Sequence, residues 1–386
     1  MSKSVTKKKI VFDASPLLVN RTGIAYYIEQ FIPALARQKP NWEFIGFYYN
    51  FLGRRSAAHF PQAPNISYRP VKFIPSKVVY QARRWGVQIP VELLAKTKAD
   101  FILYPNFLGY PSLFKTPSAP VIHDTTFLDL PEYVARKNQQ DLERFVPQTL
   151  ARSNFVITVS DFSKQKIIKT YHTPSEQLLV TPIPPLPVTK LSEQQRQKCL
   201  DEMHITGPYL ATVGTIEPRK NILTLLQAYQ LLPSALQKEY ALVVAGRVGW
   251  NCQEEVSALK RLSQSHNVNY VGFISDEQRT ALYQSANAFT SASFYEGFGM
   301  PVLEAMSYGL PCAVSDVAVY HEVAGDSALY FDQQDPQSIA NTLAKLLGDK
   351  TLQSDYAKRS HQKAASYHWE PVAQKVIGRI AAIIGE

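Results

Sequence analysis

Short apolar runs alternate with amphipathic helical patterns along nearly the whole chain. The first run, Lys9 to Ala14, is followed by a loop and then by a helical pattern from about Gly23 to Arg37. Apolar runs of strand length bounded by polar residues are typical of buried strands, whereas a period of about 3.6 residues is typical of helices. This alternation predicts parallel sheets that are covered by helices on both faces.

The proline-rich segment Thr181–Val188 separates two series of such elements. Four prolines in eight residues cannot lie within a helix or a central strand, so the segment is predicted to be an extended connector. Before it, the predicted strands are Glu43–Tyr48, Ile66–Val71, Phe101–Tyr104, Val121–His123, Phe155–Val159 and Leu178–Val180, and the predicted helices are Gln140–Ala151 and Ser163–Tyr171. After it, the predicted strands are Leu210–Val213, Ala241–Ala245, Asn269–Val271, Ala288–Ser291, Cys312–Ser315 and Ala328–Phe331, and the predicted helices are Ile222–Leu232, Glu254–Ser263, Asp276–Ser285, Pro336–Leu347 and Leu352–Ser366.

This order predicts an α/β protein with two doubly wound domains that face a cleft. In such sheets, ligands bind at the carboxyl ends of the strands. Neither half carries a GxGxxG fingerprint after its first strand, which disfavours a dinucleotide-dependent dehydrogenase.

The composition fits a globular protein of two or three domains. The chain has 386 residues, of which 45% are hydrophobic and 19% charged, so it gives no sign of general disorder. No apolar run approaches the roughly 18 residues needed to span a bilayer, and the start lacks the pattern of a secretory signal. Cys199, Cys252 and Cys312 lack the paired spacing of zinc sites or disulfides. We therefore expect a cytoplasmic protein without a cysteine zinc site or disulfides.

The formal net charge of +9 suits an anionic partner such as a nucleotide, a nucleic acid or an acidic membrane. Apart from Lys7–Lys9 the cations are dispersed, so we expect no nucleic-acid partner. One aromatic and basic group in the first half either contacts a membrane or polyprenyl carrier, or forms a solvated helix face. Its residues are Tyr80, Arg83, Arg84 and Trp85. Peripheral association with the inner face of an anionic membrane therefore stays open.

Glu296 and Glu304 bracket a glycine-rich turn that follows the predicted strand Ala288–Ser291. The turn contains Gly297, Phe298 and Gly299, and a proline then occupies a position suited to the first turn of a helix. Such a turn exposes backbone N–H groups at a positive helix end, an arrangement that binds an anion or a sugar. Both carboxylates are placed to reach one ligand. The alternative is that Glu304 complements the helix dipole and Glu296 is a solvated loop acid.

A second turn of this kind contains Gly214, Arg219 and Lys220 and leads into a helix. Cations at the positive end of a helix are unfavourable unless an anion binds there. Arginine supplies a planar fork and lysine a point charge, and together they suit a diphosphate. The alternative is a solvated basic turn.

Other strand ends carry weaker signals. Gly246 and Arg247 follow one strand, where a glycine lets the backbone approach a ligand. Phe273 follows another strand, where backbone groups are placed to contact a nucleobase. Trp250 is predicted to cap a core rather than to stack on a base.

In the first half, Gly23 lies at a helix start within the loop Asn20–Tyr26, a geometry that suits a phosphate. His123 ends a strand and is followed by Asp124. A histidine in that place is suited to hydrogen-bond a substrate, although a structural role is the alternative.

Together these motifs resemble family 4 retaining glycosyltransferases of the GT-B fold. The resemblance is carried by Glu296-x7-Glu304 with its internal GFG, by Gly214 with Arg219 and Lys220, by Ala245-Gly246, and by the N-terminal TGI. It extends over nearly the whole chain. It implies an N-terminal, acceptor-binding Rossmann-like domain at 1–185 that is completed by a C-terminal helix at 369–386. A nucleotide-sugar donor domain would occupy 190–368.

The resemblance also implies roles for individual residues. Arg219 and Lys220 would hold the donor diphosphate, and Glu296 would hold the sugar hydroxyls with the turn's N–H groups. Glu304 would bind the ribose, and His123 would hydrogen-bond the sugar near the reacting carbon. The full set expected to bind the donor is Gly23, Gly214, Arg219, Lys220, Gly246, Arg247, Phe273, Glu296, Gly297, Phe298, Gly299 and Glu304, and the set expected to act in catalysis is His123, Arg219, Lys220 and Glu296.

The implied reaction is metal-independent hexosyl transfer with retention, in which the nucleotide sugar is a co-substrate and no other cofactor takes part. The donor would be GDP-mannose and the acceptor a glycan or lipid-linked glycan in polysaccharide biosynthesis. A UDP-sugar donor stays open, as does a non-catalytic basic protein that binds a glycan or a membrane. Similar sequences tend to read TGIGRY where this chain reads TGIAYY. Ala25 and Tyr26 at this point predict an altered fit for the donor or the acceptor.

Overall fold

The computed structural model describes residues 7–18, 23–54, 56–57, 60–265 and 267–386. Thirteen strands within these ranges build the sheets. They are β1 (Lys9–Asp13), β2 (Glu43–Tyr49), β3 (Ile66–Val71), β4 (Phe101–Tyr104), β5 (Ser118–Ile122), β6 (Val156–Thr158), β7 (Leu178–Val180), β8 (Tyr209–Val213), β9 (Ala241–Ala245), β10 (Val268–Gly272), β11 (Ala288–Ser291), β12 (Cys312–Ser315) and β13 (Ala328–Phe331).

The α-helices of the described residues follow most of these strands. They are α1 (Gly23–Gln38), α2 (Ser76–Arg84), α3 (Val91–Ala95), α4 (Thr126–Asp129), α5 (Arg136–Arg152), α6 (Asp161–Tyr171), α7 (Glu193–Glu202), α8 (Ile222–Gln230), α9 (Ser234–Glu239), α10 (Gln253–Ser265), α11 (Asp276–Ser285), α12 (Met300–Ser307), α13 (Ala318–Ala324), α14 (Pro336–Gly348), α15 (Lys350–Ala364) and α16 (Trp369–Ile384). No helix among the described residues combines the length and the apolar character needed to cross a bilayer.

The strands form two wholly parallel sheets, which confirms the predicted doubly wound α/β class. The seven-stranded sheet has the order β3-β2-β1-β4-β5-β6-β7, and the six-stranded sheet has the order β10-β9-β8-β11-β12-β13. In each sheet the chain order reverses beside a central strand, between β1 and β4 and between β8 and β11. At such a switch point the connecting loops diverge and leave a crevice at the carboxyl edge, where ligands bind in this class of fold.

The chain divides into two compact units. The first contains the described residues of Met1–Leu128, Lys137–Ile183 and His368–Glu386, and the second contains Asp129–Arg136 and Pro184–Tyr367. The boundary between the units after residue 183 falls within the proline-rich segment Thr181–Val188. This segment follows β7 and contains neither helix nor strand.

Helix α16 packs on α1 within the first unit. The Trp369 ring centroid lies 5.9 Å from that of Tyr27 and 6.0 Å from that of Phe31. Tyr27 and Phe31 are both buried in α1. An aromatic cluster of this kind buries a large apolar area, so it stabilises the packing of α16 on α1.

Several short helices of the structure were not among the predicted elements, namely α2, α3, α4, α7, α9 and α13. Helix α7 is mostly polar and buries only Cys199 and Leu200, so an apolar period gives little signal for it. Its start does carry a readable signal, because Ser192 and Gln195 form a reciprocal capping box.

A close backbone crossing joins β8 to β9 at the carboxyl edge of the second sheet. The Gly214 N–H donates to the Ala245 carbonyl at 2.9 Å. A Cβ on Gly246 would lie 1.7 Å from the Gly214 carbonyl oxygen. The contact between the two strand ends therefore requires glycine at position 246. The sequence had predicted a different reason, namely that glycine lets a ligand approach the backbone.

Gly246→Ala should lower the free energy of unfolding by about 3 kcal/mol or more, because the added methyl group forces the two backbones apart. Gly378→Ala is the matched control. It lies in the interior of α16, where a Cβ would meet no atom within 4 Å, and alanine there should raise the free energy of unfolding by up to about 1 kcal/mol. Chemical denaturation of both variants checks this, and equal effects would contradict the role given to the crossing.

Candidate functional site

The loops that follow β8 and β11 meet at the switch point of the second sheet. The loop after β8 ends in a 3-10 turn, Pro218–Lys220, which leads into α8. The loop after β11 runs to Gly299, where α12 begins. The Phe294 N–H donates to the Arg219 carbonyl at 2.9 Å, so a backbone hydrogen bond joins the two loops directly.

Glu296 forms the centre of this meeting point. Its Oε2 accepts from Arg219 Nη1 at 2.6 Å, and its Oε1 accepts from Lys220 Nζ at 2.5 Å. The Ser293 hydroxyl donates to Oε1 at 2.8 Å. Glu296 is only 7% exposed, so it is not the solvated loop acid of the alternative prediction.

The electrostatics of the cluster keep Glu296 ionised. Burial alone raises the pKa of its carboxyl group, because a low-dielectric surrounding disfavours the charged form. Arg219 and Lys220 outweigh that cost through charge and hydrogen bonds and lower the pKa to about 2. The residue is therefore a fixed anion and not a general acid or base at neutral pH.

Arg219 also contacts a second carboxylate. Its Nη2 lies 2.6 Å from Glu217 Oε1, and its Nη1 donates to the Tyr295 carbonyl at 2.7 Å. The side chains of Arg219 and Lys220 are 18% and 13% exposed, so the alternative of a solvated basic turn is wrong. Two cations and two carboxylates make up this cluster, and their formal charges cancel.

The glycine turn after Glu296 is shaped by its packing. Gly299 has φ 98°, and a Cβ there would lie 2.7 Å from Cε1 of Tyr320, so glycine is the residue that fits. Pro301 occupies the first turn of α12, as predicted. Gly297 and Phe298 lie between Glu296 and this helix, and Phe298 is buried.

Glu304 lies inside α12 and has different partners from Glu296. The Tyr283 hydroxyl donates to its Oε2 at 3.3 Å, and Arg279 Nε lies 4.0 Å from the same oxygen. Burial raises the pKa of Glu304, and the distant guanidinium and the tyrosine hydrogen bond offset this only in part. The two glutamates therefore belong to two separate polar groups. Glu296 has two cations within hydrogen-bond distance, whereas Glu304 has a single guanidinium at 4.0 Å.

His123 follows β5 in the first unit and is held by its neighbours. Its Nε2 is 2.9 Å from the Pro105 carbonyl, so this nitrogen carries the proton and Nδ1 is an acceptor. The rings of Tyr27 and Phe107 lie 5.1 and 5.5 Å away, centroid to centroid. Burial lowers the pKa of His123 to about 4, although the Pro105 carbonyl opposes the shift. The imidazole is neutral at physiological pH.

The remaining residues expected at the site lie at strand ends or helix starts. Gly23 is the first residue of α1, and Asn20, Arg21 and Thr22 of the same loop lie outside the described residues. The Arg247 carbonyl accepts from the Ile216 N–H at 2.9 Å. Phe273 directly follows β10 and is 61% exposed.

Trp250 does not cap a core, and that prediction is wrong. The side chain is 37% exposed, and its indole N–H donates to the Tyr133 carbonyl at 2.8 Å. Tyr133 stacks on Phe294 with centroids 5.9 Å apart, and the Tyr295 hydroxyl donates to Asp129 at 3.0 Å. The segment Asp129–Arg136 thus packs directly on the loop that carries Glu296.

Sequence reasoning missed three participants in this cluster. Ser293 and Glu217 contact the charged groups directly. Tyr320 supports them less directly, because its hydroxyl lies 2.7 Å from that of Ser291 and Ser291 contacts Ser293. Ser293 stands three residues before Glu296 and Glu217 two before Arg219, so proximity to the charged residues was the available signal. Tyr320 is distant in sequence from the charged residues, so the sequence offered no such signal for it.

Sequence comparisons find a matching family and a relative that is similar over most of the chain. The family of glycosyl transferases group 1 matches residues 202–363. The chain is also similar to O-antigen chain mannosyltransferase B of Escherichia coli, with 29% identity over 383 residues, which cover 96% of this chain and 98% of the relative.

Solved structures extend the likeness to the fold. Sucrose-phosphate synthase from Thermosynechococcus elongatus matches with a TM-score of 0.71 and 17% identity, covering 97% of this chain and 98% of that one. Anabaena Alr3699/HepE in complex with UDP and glucose matches with a TM-score of 0.68 and 16% identity, covering 97% and 100%. The predicted GT-B fold is therefore confirmed.

A pH titration tests whether the imidazole of His123 is neutral in the folded protein. Its pKa is depressed from 6.5 to about 4, so the unfolded chain binds a proton before the folded protein does. The stability that the neutral imidazole gives is thus fully present above about pH 6.5 and is lost as the pH falls toward 4. NMR of the imidazole should show no protonation until about pH 4.

His123→Asn is the control for this effect. The difference in unfolding free energy between the wild type and this variant should shrink between pH 6.5 and pH 4 if the titration belongs to His123. A constant difference would assign the pH dependence to other groups.

Proposed function

We propose that the chain is a GT-B glycosyltransferase similar to mannosyltransferases and that it transfers mannose from GDP-mannose to a glycan or lipid-linked glycan. The observation that carries the proposal is the buried cluster of Glu296, Arg219 and Lys220 at the switch point of the second sheet. The similarity to O-antigen chain mannosyltransferase B supports the choice of sugar and of a polysaccharide acceptor.

The donor diphosphate would bind Arg219 and Lys220. Both cations contact Glu296, so a bound diphosphate would compete with this carboxylate for the same N–H groups. Arginine can share its five donors between two acceptors, whereas the lysine ammonium can pivot. Glu296 would then turn one oxygen toward the sugar hydroxyls, with the backbone N–H groups of Gly297–Gly299 beside it.

Glu304 would bind the nucleotide ribose. Its carboxyl group has one hydrogen bond of 3.3 Å, to Tyr283, and a guanidinium that approaches only to 4.0 Å. A buried carboxyl group with so little compensation gains from two additional hydroxyl donors, which the cis-diol of a ribose supplies. Gly246, Arg247 and Phe273 at the neighbouring strand ends would border the nucleotide.

His123 would hydrogen-bond the donor sugar near the reacting carbon. Its Nε2–H bond to Pro105 leaves Nδ1 to accept from a sugar hydroxyl. Because the imidazole stays neutral, it positions the sugar and does not supply a charge.

The proposed reaction proceeds with retention and without a metal or other cofactor. Arg219 and Lys220 would stabilise the negative charge that develops on the leaving nucleoside diphosphate, which is the task that a divalent cation performs in other phosphate-leaving reactions. The leaving phosphate would take the proton of the acceptor hydroxyl on the same face of the sugar. Glu296 is held as an anion by two cations and serves to position the sugar, so no covalent nucleophile is assigned.

We also propose that the protein acts in the cytoplasm, in peripheral contact with the inner face of the membrane. A lipid-linked acceptor would be presented there, and the net charge of +9 favours approach to anionic lipids.

Glu296→Gln should lower kcat by about 100-fold, because the amide cannot orient the sugar as the carboxylate does. It should bind free GDP at least as tightly as the wild type, because the substitution removes the carboxylate that competes for Arg219 and Lys220. Steady-state kinetics and calorimetry with GDP measure the two effects. The exposed Glu193→Gln is the matched control, and unchanged transfer by Glu296→Gln would refute the catalytic role.

Arg219→Ala should weaken binding of the nucleotide sugar by about 100-fold, since it removes charge-assisted hydrogen bonds to the diphosphate. Arg196→Ala, which removes a half-buried cation paired with Glu193, should leave binding unchanged. Thermal-shift titrations with GDP-mannose, UDP-glucose and UDP-GlcNAc identify the donor. A shift only with a UDP-sugar would correct the nucleotide, and no shift with any of them would favour a non-catalytic binding protein.

A further inference from the structure

Three buried hydroxyl groups lead from α13 to the carboxylate of Glu296. The Tyr320 hydroxyl oxygen lies 2.7 Å from that of Ser291, and the Ser291 hydroxyl oxygen lies 3.2 Å from that of Ser293. The Ser293 hydroxyl donates to Glu296 Oε1 at 2.8 Å. All three hydroxyl residues are buried, so bulk water has little access to these hydrogen bonds. We call Tyr320, Ser291 and Ser293 the hydroxyl chain.

The direction of the hydrogen bonds in the hydroxyl chain follows from counting hydrogens. Each hydroxyl group has one hydrogen to donate, and an ionised carboxylate only accepts. The hydrogen of Ser293 is used on Glu296, so Ser291 must donate to Ser293. Tyr320 must then donate to Ser291. Tyr320 is therefore the first donor of the hydroxyl chain, and each hydrogen bond in such a series polarises the next.

The hydroxyl group of Tyr320 keeps its hydrogen at physiological pH. Burial raises the pKa of this hydroxyl group above its ordinary value, and the negative charge of Glu296 raises it further. The hydrogen bonds to the two serines and the charge of Arg219 oppose the shift only in part. The phenol is thus a permanent donor.

The ring of Tyr320 also contacts the glycine turn that follows Glu296. A Cβ on Gly299 would lie 2.7 Å from Cε1 of this ring. The backbone of Tyr320 is held in turn by β13, because the Tyr330 hydroxyl donates to the Tyr320 carbonyl at 3.2 Å and to the Gly325 carbonyl at 2.6 Å. One side chain therefore supports the turn directly and the carboxylate through two serines.

The hydroxyl chain differs from the other partners of Glu296 in what a donor would do to it. Arg219 and Lys220 also contact the carboxylate, and under the proposed function both would be drawn to the diphosphate. The hydroxyl groups carry no charge and are buried, so phosphate oxygens do not compete for them. They end on Oε1, whereas Oε2 accepts from Arg219.

We propose that Tyr320 is a positioning residue for the donor sugar. Through the two serines it holds Oε1 of Glu296 in place when the cations turn to the diphosphate. This leaves Oε2 as the oxygen that receives the sugar hydroxyls. The inference rests on the proposed function, since it takes a nucleotide sugar as the ligand of the cluster, and it deepens that function by naming the oxygen and the residue that orients it.

Tyr320→Phe removes the first donor of the hydroxyl chain and keeps the ring on Gly299. It should lower kcat for mannosyl transfer by about tenfold, because Glu296 then holds the sugar less firmly in the reacting geometry. Ser293→Ala breaks the hydroxyl chain at Glu296 and should lower kcat by about tenfold or more. The affinity of both variants for free GDP should stay within about twofold of the wild type, because Arg219 and Lys220 are intact. Steady-state kinetics and calorimetry measure the two quantities.

The double variant of Tyr320→Phe with Ser293→Ala distinguishes one connected series from two independent defects. If Tyr320 acts through Ser293, then Tyr320→Phe should lower kcat no further once Ser293 is alanine. Tyr330→Phe is the matched control. It removes a tyrosine hydroxyl that supports the backbone of Tyr320 from outside the hydroxyl chain, so it should leave kcat unchanged.

The possible outcomes separate this inference from the proposed function. Effects on kcat that multiply in the double variant, or a loss of GDP affinity as large as the loss of kcat, would indicate a general structural role and overturn the inference. Unchanged kcat in Tyr320→Phe, beside an impaired Glu296→Gln, would overturn it and leave the proposed function standing. Failure of the proposed function gives a different result, namely no transfer by the wild type or unchanged transfer by Glu296→Gln, and it would overturn the inference as well.

Discussion

The ion pairs between Glu296 and the two neighbouring cations determine much of the second unit's ligand-binding edge. A carboxylate that is 7% exposed would be strongly destabilising on its own, because burial removes its hydration. Burial likewise destabilises the cationic side chains of Arg219 and Lys220, because it removes their hydration. Each charge is tolerable only because the others are present, and this mutual dependence fixes the loops after β8 and β11 in one arrangement. The hydrogen bond from Phe294 to the Arg219 carbonyl then locks the backbone beneath the charges.

Sheet topology brings these residues together across a long stretch of chain. Arg219 and Glu296 are 77 positions apart, yet β8 and β11 are neighbours in the sheet. The chain first builds β9 and β10 on one side of β8 and then returns to place β11 on the other. Parallel strands direct all their carboxyl ends to one edge, so the reversal of order is what turns two distant loops into one cluster.

The sequence allowed the class of fold and the main charged residues to be predicted, for identifiable reasons. Buried parallel strands give continuous apolar runs, and glycine-rich turns next to charges stand out from the surrounding chain. The partners of those charges were harder to foresee. Lys220 was expected to bind the diphosphate of a ligand. In the structure it forms an ion pair with Glu296, and this contact depends on the order of the strands in the sheet. Gly246 was interpreted as access for a ligand, whereas it also relieves a collision with Gly214 that only the three-dimensional crossing reveals.

The cancellation of charge among Glu217, Arg219, Lys220 and Glu296 has a consequence for kinetics. A compact group with no net charge has a field that decays within a few ångströms, so it cannot attract the proposed anionic donor from a distance. Long-range attraction must come from the dispersed surplus of +9, and at physiological ionic strength that attraction is screened beyond about 8 Å. The rate of encounter should therefore be sensitive to salt, while the exchange of partners inside the buried cluster is largely shielded from it.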